Sequence, residues 1–275
     1  MDRPLPIVVT PAQGAASVTA GGVRVVDLRK PEAFETGHVP GAVPLDYSAL
    51  VREHAPVGGL LPEDAALSGV FSSLGLVPGQ QLIAYDDEGN GRASRLVWTL
   101  HVVGHDAAAI MDGGFAAWRD GGLAVERGAR AVTPSRYVAR ATGAAVADRA
   151  WLLDHLGNPD VVVVDTRSPR EYSGDDVRAA RGGHIPGAVN FDWVRAMDGE
   201  HHKRLWPRER LLAELAALGV TPQREVVTYC QTHHRSSHTY VVLRSLGFER
   251  VRGYPGAWSD WGNQPDTPVT VGDRP

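Results

Sequence analysis

The chain contains one series of short sequence blocks twice, in the same order. The second copy of each block lies about 140 residues after the first, which is the length of a domain and far longer than a solenoid unit. The sequence therefore predicts a duplication that gives two related domains. The paired blocks are VVDLR at 25–29 and VVDTR at 163–167, PEAF at 31–34 and PREY at 169–172, GHVPGAV at 37–43 and GHIPGAV at 183–189, IAYD at 83–86 and VTYC at 227–230, and AW at 117–118 and 257–258.

The segment between the two copies has the composition of a connector. Residues 127–149 are rich in Ala, Gly and Arg and have no clear apolar period, which favours an exposed linker. We place a first domain at 1–128, a linker at 129–145 and a second domain at 146–275. Only the second domain has the extra segment 173–182 ahead of its GHIPG block.

Each half alternates short apolar segments with helical ones, and each predicted helix of the second half is followed by a glycine. This alternation predicts an α/β fold, with a mainly parallel sheet in each domain and helices on both of its faces. Ligands of such sheets bind beyond the carboxyl ends of the strands, and Cys230 ends one of them. The predicted strands of the second half are 161–164, 188–191, 225–229 and 250–252, and its predicted helices are 208–218 and 237–246.

Composition excludes several classes of function. A net charge of −4 gives no basic field for nucleic acid, and no apolar run approaches the length that spans a membrane. Residues 1–11 lack the basic and apolar regions of a signal peptide, and a single cysteine cannot form an internal disulfide. We therefore expect a cytoplasmic protein whose partners are neither nucleic acids nor membranes.

The lone Cys230 lies in an electropositive part of the sequence. No Asp or Glu occurs from Val226 through Phe248, whereas Arg235 and three histidines follow the cysteine closely. A cation and a helix N-terminus both favour the thiolate, which is the nucleophilic form of cysteine. The tight loop that precedes the helix also directs backbone N–H groups inwards, where they can hold an anion.

The first half provides an internal control for this loop. Where the second half has Cys230, the first half has Asp86, followed by two more acidic residues. That loop has no nucleophilic sulfur, and we expect it to repel an anion. The pattern predicts one active and one inactive copy of the same scaffold.

These motifs resemble the rhodanese family. The resemblance is carried by DxRxP at 27–31 and 165–169, by the two GHxPGAV blocks, and by the CQTHHRS loop at 230–236, which is similar to that of the family's bacterial thiosulfate sulfurtransferases. The order of Asp in the first copy and Cys in the second resembles the long tandem-domain members over nearly the whole chain. The resemblance implies that Cys230 takes sulfur from thiosulfate as a persulfide and passes it to cyanide or to a thiol or dithiol acceptor, without a cofactor or metal.

The resemblance also implies roles for individual residues. Cys230 is the expected nucleophile, and Arg235 is expected to anchor the sulfonate group of the donor through its planar fork. Asp165 and Arg167 are expected to support the site, although a purely structural ion pair fits them equally well. The other expected substrate-binding residues are Gln231, Thr232, His233, His234 and Ser236 in the loop, with Arg170, Arg181 and Trp193 outside it; Arg178 is a further candidate cation.

Two other enzyme classes share features of this sequence. A 3-mercaptopyruvate sulfurtransferase shares the tandem architecture but typically has a small glycine-rich loop after its cysteine, whereas this loop has bulky Gln231 and paired histidines. Arg170 and Arg181 keep that alternative open. Cysteine-dependent phosphatases place five residues between Cys and Arg, and here there are four, which makes a smaller cradle.

Two non-enzymatic readings complete the alternatives. Cys230, His234 and His238 are residue types that bind zinc, but no CxxC pair or acidic ligand completes a tetrahedral set. A persulfide carrier without turnover would use the same fold and the same cysteine.

Overall fold

The computed structural model describes residues 5–128 and 131–275, and it divides into two compact units. The first unit lies within residues 1–50, 62–142 and 198–205, and the second consists of 51–61, 143–197 and 206–275. Each unit therefore includes one short segment that belongs, in sequence, to the other half. The domain limits at 128 and 146 stay a prediction from the sequence.

The first unit is built on a five-stranded parallel sheet with the strand order β1-β7-β6-β2-β3. Its central strand, Leu82–Tyr85, is buried at every position, so both faces of the sheet are covered. Its elements are β1 (Val8–Val9), α1 (Pro11–Ala20), β2 (Arg24–Asp27), α2 (Pro31–Thr36), β3 (Val43–Pro44), α3 (Asp64–Ser73), β6 (Leu82–Tyr85), α4 (Gly91–Val102), β7 (Ala108–Met111) and α5 (Gly114–Asp120), with a 3-10 turn at Tyr47–Leu50.

The second unit has a four-stranded parallel sheet with the strand order β13-β12-β8-β9. In β12, the four residues after Glu225 are all buried, as expected for a strand covered on both faces. Its elements are α6 (Arg149–Asp154), β8 (Val161–Asp165), α7 (Pro169–Ser173), β9 (Val189–Asn190), α8 (Arg208–Ala217), β12 (Glu225–Tyr229), α9 (Arg235–Ser245), β13 (Val251–Gly253) and α10 (Ala257–Trp261), with a 3-10 turn at Trp193–Ala196.

The predicted fold class is confirmed, because both sheets are parallel and alternate with helices along the chain. The predicted strands occur with small differences in length. The helix predicted at 237–246 begins two residues earlier, at Arg235, so the whole segment after His234 is helical. This shift places the first turn of α9 directly after the cysteine loop.

Each of the two exchanged segments includes residues of a short two-stranded hairpin, and the one at 51–61 is antiparallel. Strands β4 (Arg52–His54) and β5 (Val57–Leu60) pair within the second unit. Strands β10 (Met197–Asp198) and β11 (Arg204–Leu205) form the other hairpin, of which residues 198–205 belong to the first unit. Neither exchange was predicted from the sequence.

In the segment predicted to be an exposed linker, most of the described residues are exposed, but a few are buried. Ala129 and Arg130 lie outside the described residues, but the segment that follows packs along α3 of the first unit. Tyr137 and Ala139 are buried, and their N–H groups donate to the hydroxyls of Ser72 and Ser68. Alternate residues of this extended segment face inwards. Only two of its described residues are buried in this alternating way, so the alternation does not stand out as an apolar pattern in a sequence rich in alanine and arginine.

The core of each unit is formed by the blocks that the sequence repeats. Tyr85 and Trp118 pack in the first core, and Tyr229 and Trp258 pack in the second. Within residues 5–128 and 131–275, no helix is both long and apolar enough to cross a membrane.

Candidate active site

Cys230 follows the last residue of β12, at the carboxyl end of a central strand. Tyr229 lies beside Asp165 in the parallel register of β12 and β8, so the cysteine emerges next to the end of β8. The carbonyl of Cys230 accepts from the N–H of Trp258 at 2.9 Å, and the next carbonyl, of Gln231, accepts from Ser259 at 3.0 Å. The start of the loop is thus held by α10 while its end enters α9. The cysteine side chain is buried at the base of this loop.

The surroundings of Cys230 favour its thiolate. Burial by itself raises the pKa of this thiol, but the charge of Arg235, the hydroxyl and N–H of Ser236 and the N–H of Thr232 oppose burial and leave the pKa below its ordinary value. These groups are the N–H donors and the cation that the sequence predicted at the entrance to a helix. A thiolate at this position is therefore stabilised by fixed groups of the loop.

Ser236 connects the sulfur to the next residue of the loop, His233. The hydroxyl oxygen of Ser236 lies 2.7 Å from Nδ1 of His233, and the same hydroxyl is one of the groups that lower the pKa of Cys230. A hydroxyl proton directed at the sulfur leaves the Ser236 oxygen as the acceptor for a proton on Nδ1. The His233 backbone is left-handed, with φ 56°. The first copy has an equivalent loop that starts at Asp86, here called the silent loop, and its corresponding residue is Gly89, with φ 93°. The loop shape needs this conformation in both copies, and the copy with Cys230 adopts it at a residue whose side chain contacts Ser236.

Arg235 forms a two-pronged ion pair with Glu171. Its two terminal nitrogens lie 2.7 and 2.8 Å from the two carboxylate oxygens, and the Glu171 side chain is only 2% exposed. Although burial alone would raise the pKa of Glu171, hydrogen bonds and charge from Arg235, with help from Ser168, lower it to about 2. The carboxylate fixes the orientation of the guanidinium and offsets part of its charge. Neither partner has a counterpart in the silent copy, where Ala33 and Gly91 stand at these positions.

The silent loop contains its own anion. The carboxylate of Asp86 is buried and accepts from four backbone N–H groups at 2.7–3.0 Å. Instead of merely repelling an anion, as the sequence suggested, the loop is filled by one. The four donors belong to Glu88, Asn90, Arg92 and Ala93. The residues at the same distances after Cys230 are Thr232, His234, Ser236 and Ser237.

Asp165 and Arg167 form an ion pair that the first unit repeats. Arg167 donates to both carboxylate oxygens of Asp165 and to the carbonyl of Gly183, at 2.7 Å. Arg29 makes the same contacts with Asp27 and with the carbonyl of Gly37, also at 2.7 Å. Because the pair is complete beside a loop without sulfur, it serves the fold of both domains. The structural reading of Asp165 and Arg167 is the one that this duplication favours.

Trp193 lies against the histidines that follow the cysteine. Its ring centroid is 5.9 Å from that of His234 and 5.5 Å from that of His238, in an edge-on arrangement with the latter. Burial, reinforced by the charge of His234, lowers the pKa of His238 to about 3, so this ring is neutral. The half-buried indole therefore covers the first turn of α9. Within residues 5–128 and 131–275, no three His, Cys, Asp or Glu side chains form a group suited to a metal ion.

The remaining predicted cations differ in their surroundings. Arg178 is half-exposed, lies 3.7 Å from the Glu171 carboxylate, and its carbonyl accepts from the Gln231 side chain at 3.0 Å. The guanidinium of Arg181 donates to the backbone carbonyls of Trp261 and Thr267 at 3.0 and 2.7 Å, so it is committed to the C-terminal segment. Arg170 is exposed on α7. The structure thus brings Arg178, and not Arg181, towards the loop.

A family model for the rhodanese-like domain matches this chain twice, at residues 10–120 and 148–264. The chain belongs to the rhodanese family. A thiosulfate sulfurtransferase of Azotobacter vinelandii is 41% identical over 97% of this chain and 98% of its own length. A probable 3-mercaptopyruvate sulfurtransferase of Pseudomonas aeruginosa is 31% identical over 96% and 98%. The crystal structure of a 3-mercaptopyruvate sulfotransferase from Escherichia coli superposes with a TM-score of 0.80 at 25% identity, covering 92% of this chain and 99% of the other.

These matches confirm the resemblance and the enzyme class inferred from the motifs, a rhodanese-type sulfurtransferase with a sulfur donor and a sulfur acceptor. Its tandem rhodanese domains are the two copies that the repeated blocks predicted. The thiosulfate sulfurtransferase of Azotobacter vinelandii is higher in identity to this chain than the probable 3-mercaptopyruvate sulfurtransferase of Pseudomonas aeruginosa.

Sequence reasoning missed Glu171 and Ser259, which lie outside the Cys230 loop and hydrogen-bond to residues of it. Glu171 stands three residues after Ser168 in a capping box, and Ala33 in the first copy marks it as a difference between the two domains. That difference was a usable signal. Ser259 follows the repeated AW block and had no distinguishing pattern, because its contacts depend on where α10 lies.

Proposed function

We propose that this rhodanese is a thiosulfate sulfurtransferase that carries the transferred sulfur on Cys230. The observation that supports it best is the position of the one thiol, which is buried directly after β12 and before the first turn of α9, where Arg235, Ser236 and Thr232 lower its pKa. A thiolate surrounded by N–H groups suits a reaction in which both the donor and the intermediate are anions.

In the donor half-reaction, the Cys230 thiolate attacks the outer sulfur of thiosulfate. A new S–S bond forms, the S–S bond of thiosulfate breaks, and its electron pair leaves with sulfite. Arg235 and the half-exposed Arg178 are the cations that draw the sulfonate towards the loop, and Glu171 keeps the fork of Arg235 fixed. The sulfur, rather than the bulkier sulfonate, enters the cradle.

The persulfide is an anion that needs N–H donors around its outer sulfur. The Asp86 carboxylate in the silent loop identifies those donors by analogy, because the matched N–H groups in the catalytic loop are those of Thr232, His234, Ser236 and Ser237. Cyanide or a thiol then attacks the outer sulfur, and the Cys230 thiolate leaves. These acceptors, and a cytoplasmic location suited to a lone thiol, are part of the proposal.

Intact mass spectrometry tests this function. Wild-type protein mixed with thiosulfate should gain the mass of one sulfur atom, and subsequent cyanide should remove it. Cys230→Ser protein should gain nothing. A persulfide that forms but turns over no faster than it decays would favour a carrier instead of an enzyme, and a faster donor half-reaction with 3-mercaptopyruvate would favour the keto-acid branch.

A further inference from the structure

The β4–β5 hairpin comes from the first half of the sequence but lies in the second unit, against the catalytic loop. Its second strand packs on α10, the helix that holds the carbonyls of Cys230 and Gln231. The hairpin has no role in the reaction as derived above. Its contacts with the loop nevertheless reach a residue that surrounds the sulfur.

Ser259 joins the hairpin to the loop. Its hydroxyl oxygen accepts from the N–H of Gly58 at 3.0 Å, while its own N–H donates to the carbonyl of Gln231 at 3.0 Å. The carbonyl oxygens of Gly256 and Gly58 lie 2.8 and 3.2 Å from the same hydroxyl, within reach of its single proton. One residue therefore binds the hairpin on one side and the catalytic loop on the other.

Gly59 makes the closest approach to the loop. A Cβ atom on Gly59 would lie 2.0 Å from the carbonyl oxygen of Thr232 and 2.6 Å from its carbonyl carbon. A Cβ on Gly58 would lie 3.2 Å from the Thr232 methyl group. The backbone of Gly59 is also left-handed, with φ 70°. Glycine is required here by both space and conformation.

Thr232 is held between the hairpin and the sulfur. Its carbonyl faces Gly59, and its N–H matches that of Glu88, which donates to the Asp86 carboxylate at 2.8 Å in the first copy. The Thr232 N–H is also one of the groups that lower the pKa of Cys230. A shift of the Thr232 backbone by a few tenths of an ångström would change the direction of this N–H. The hairpin contact therefore bears on the electrostatic surroundings of the reacting sulfur.

The first unit offers a comparison. There, a cavity of about 230 Å³ lies between the silent loop and the other hairpin, with Asp87, Gly89, Glu200, His202 and Lys203 among its lining residues. In that unit the hairpin leaves space in front of the loop. In the catalytic unit, Gly58 and Gly59 are in direct contact with Thr232.

We propose that the β4–β5 hairpin is a positioning element for the catalytic loop, in which Gly59 and the Gly58–Ser259 hydrogen bond hold the Thr232 N–H on the Cys230 sulfur. The first half of the chain thus contributes to catalysis although its own loop is silent. This inference rests on the proposed function, because it concerns the same thiolate and the same persulfide.

The test compares Gly59→Ala with Gly157→Ala. Gly157 lies in the same unit and has φ 75°, but a Cβ there meets no atom within 4 Å, so it reproduces the backbone strain without the contact. Two quantities are measured: the pKa of the only thiol, from the pH dependence of its alkylation, and the rate of sulfite release in a single turnover with thiosulfate. Gly59→Ala should raise the thiol pKa and slow sulfite release about tenfold or more. Gly157→Ala should leave both at the wild-type values.

Ser259→Ala serves as a second variant that introduces no clash. It should shift the thiol pKa and the sulfite rate in the same direction by a smaller factor. The proposal would be overturned if Gly59→Ala folds and has the same thiol pKa and the same rate of sulfite release as Gly157→Ala. If Gly59→Ala does not fold, a wild-type thiol pKa and sulfite rate in Ser259→Ala would overturn it. Failure of the proposed function is distinguishable, because the wild-type protein itself would then release no sulfite.

Discussion

The carboxylate of Glu171 binds both terminal nitrogens of Arg235, although the two residues are 64 positions apart in the sequence. Among the described residues this pair occurs only in the domain that contains Cys230, and the charge of Arg235 acts on the cysteine sulfur. It explains how a cation can remain fixed near an anion-binding loop without being attracted out of position by solvent or by the substrate. Several measurable consequences follow from the pair and from the loop that it supports.

Glu171 should make the stability of the protein sensitive to acid. Its folded-state pKa of about 2 is below the ordinary 4.5, so the folded state binds fewer protons between these values. Its contribution is therefore complete above pH 4.5 and is lost as the pH falls towards 2. Glu171→Gln should remove this part of the acid-induced loss of stability, measured by circular dichroism during denaturant unfolding at a series of pH values. The exposed Glu249→Gln is the control, and an unchanged pH profile in Glu171→Gln would contradict the account.

Arg235→Ala should slow sulfite release by roughly tenfold to a thousandfold, because the donor is a dianion and the nearby thiolate loses its cation. Attack of a neutral thiol on a preformed persulfide should be less affected. Arg235→Lys should restore only part of the rate, since a point charge replaces a planar fork. Stopped-flow detection of sulfite measures the effect.

The ion pair between Arg235 and Glu171 requires a further control for Arg235→Ala. Arg235→Ala leaves the Glu171 carboxylate buried without its partner, which can disturb the site independently of the donor. The double variant Arg235→Ala/Glu171→Ala removes this unpaired charge and should remain slow. Recovery of the wild-type rate in the double variant would mean that Arg235 acts only by neutralising Glu171.

Asp86→Ala should destabilise the protein while leaving sulfur transfer nearly unchanged. The substitution removes the acceptor of four buried N–H groups, so we expect the free energy of unfolding to fall by about 2 kcal/mol or more. Denaturant titration and steady-state activity per folded molecule measure the two effects. The exposed neighbour Asp87→Ala is the matched control. A loss of activity comparable with that of Cys230→Ser, in folded Asp86→Ala, would assign the first domain a chemical role that this account lacks.

Ser236→Ala should raise the thiol pKa, because it removes a hydroxyl that donates to the sulfur. The reactive form is the thiolate, so the rate of sulfite release should rise with pH through this pKa, and the rising limb should lie at higher pH in the variant than in the wild type. The ultraviolet absorbance of the thiolate, after subtraction of that of Cys230→Ser, reports Cys230, since the chain has one cysteine. Ser245→Ala, at the far end of the same helix, is the control. If the rate of sulfite release rises over the same pH range in Ser236→Ala and in the wild type, the hydroxyl does not act on the sulfur.

Local sequence patterns were sufficient to predict much of the fold and the centre of the site. The alternation of apolar strands and helices specifies a parallel sheet, and the repeated blocks place Cys230 and Asp86 at equivalent strand ends. Both inferences depend on residues that are neighbours in sequence or on a direct comparison of two copies. The N–H cradle follows in the same way, because a loop that enters a helix has unpaired donors whatever surrounds it.

The parts that were not predicted depend on contacts between distant segments. The partnership of Glu171 with Arg235, the hairpin at 51–61 against Thr232, and the use of Arg181 by the C-terminal segment are all set by tertiary packing. Arg181 illustrates the difficulty: an arginine beside a substrate-binding block has the same sequence signature whether its guanidinium faces an anion or backbone carbonyls. The buried part of the linker was missed for the same reason, since Tyr137 has its partners on α3.

The most direct test of the central claim is the stoichiometry of sulfite release in the absence of an acceptor. Wild-type protein mixed with excess thiosulfate should release about one sulfite per chain in a single burst and then stop, because the one cysteine accepts one sulfur and the first domain has Asp86 at the equivalent position. Cys230→Ser should release none. Continuous sulfite release without an acceptor, or a burst of equal size from Cys230→Ser, would contradict transfer through a Cys230 persulfide.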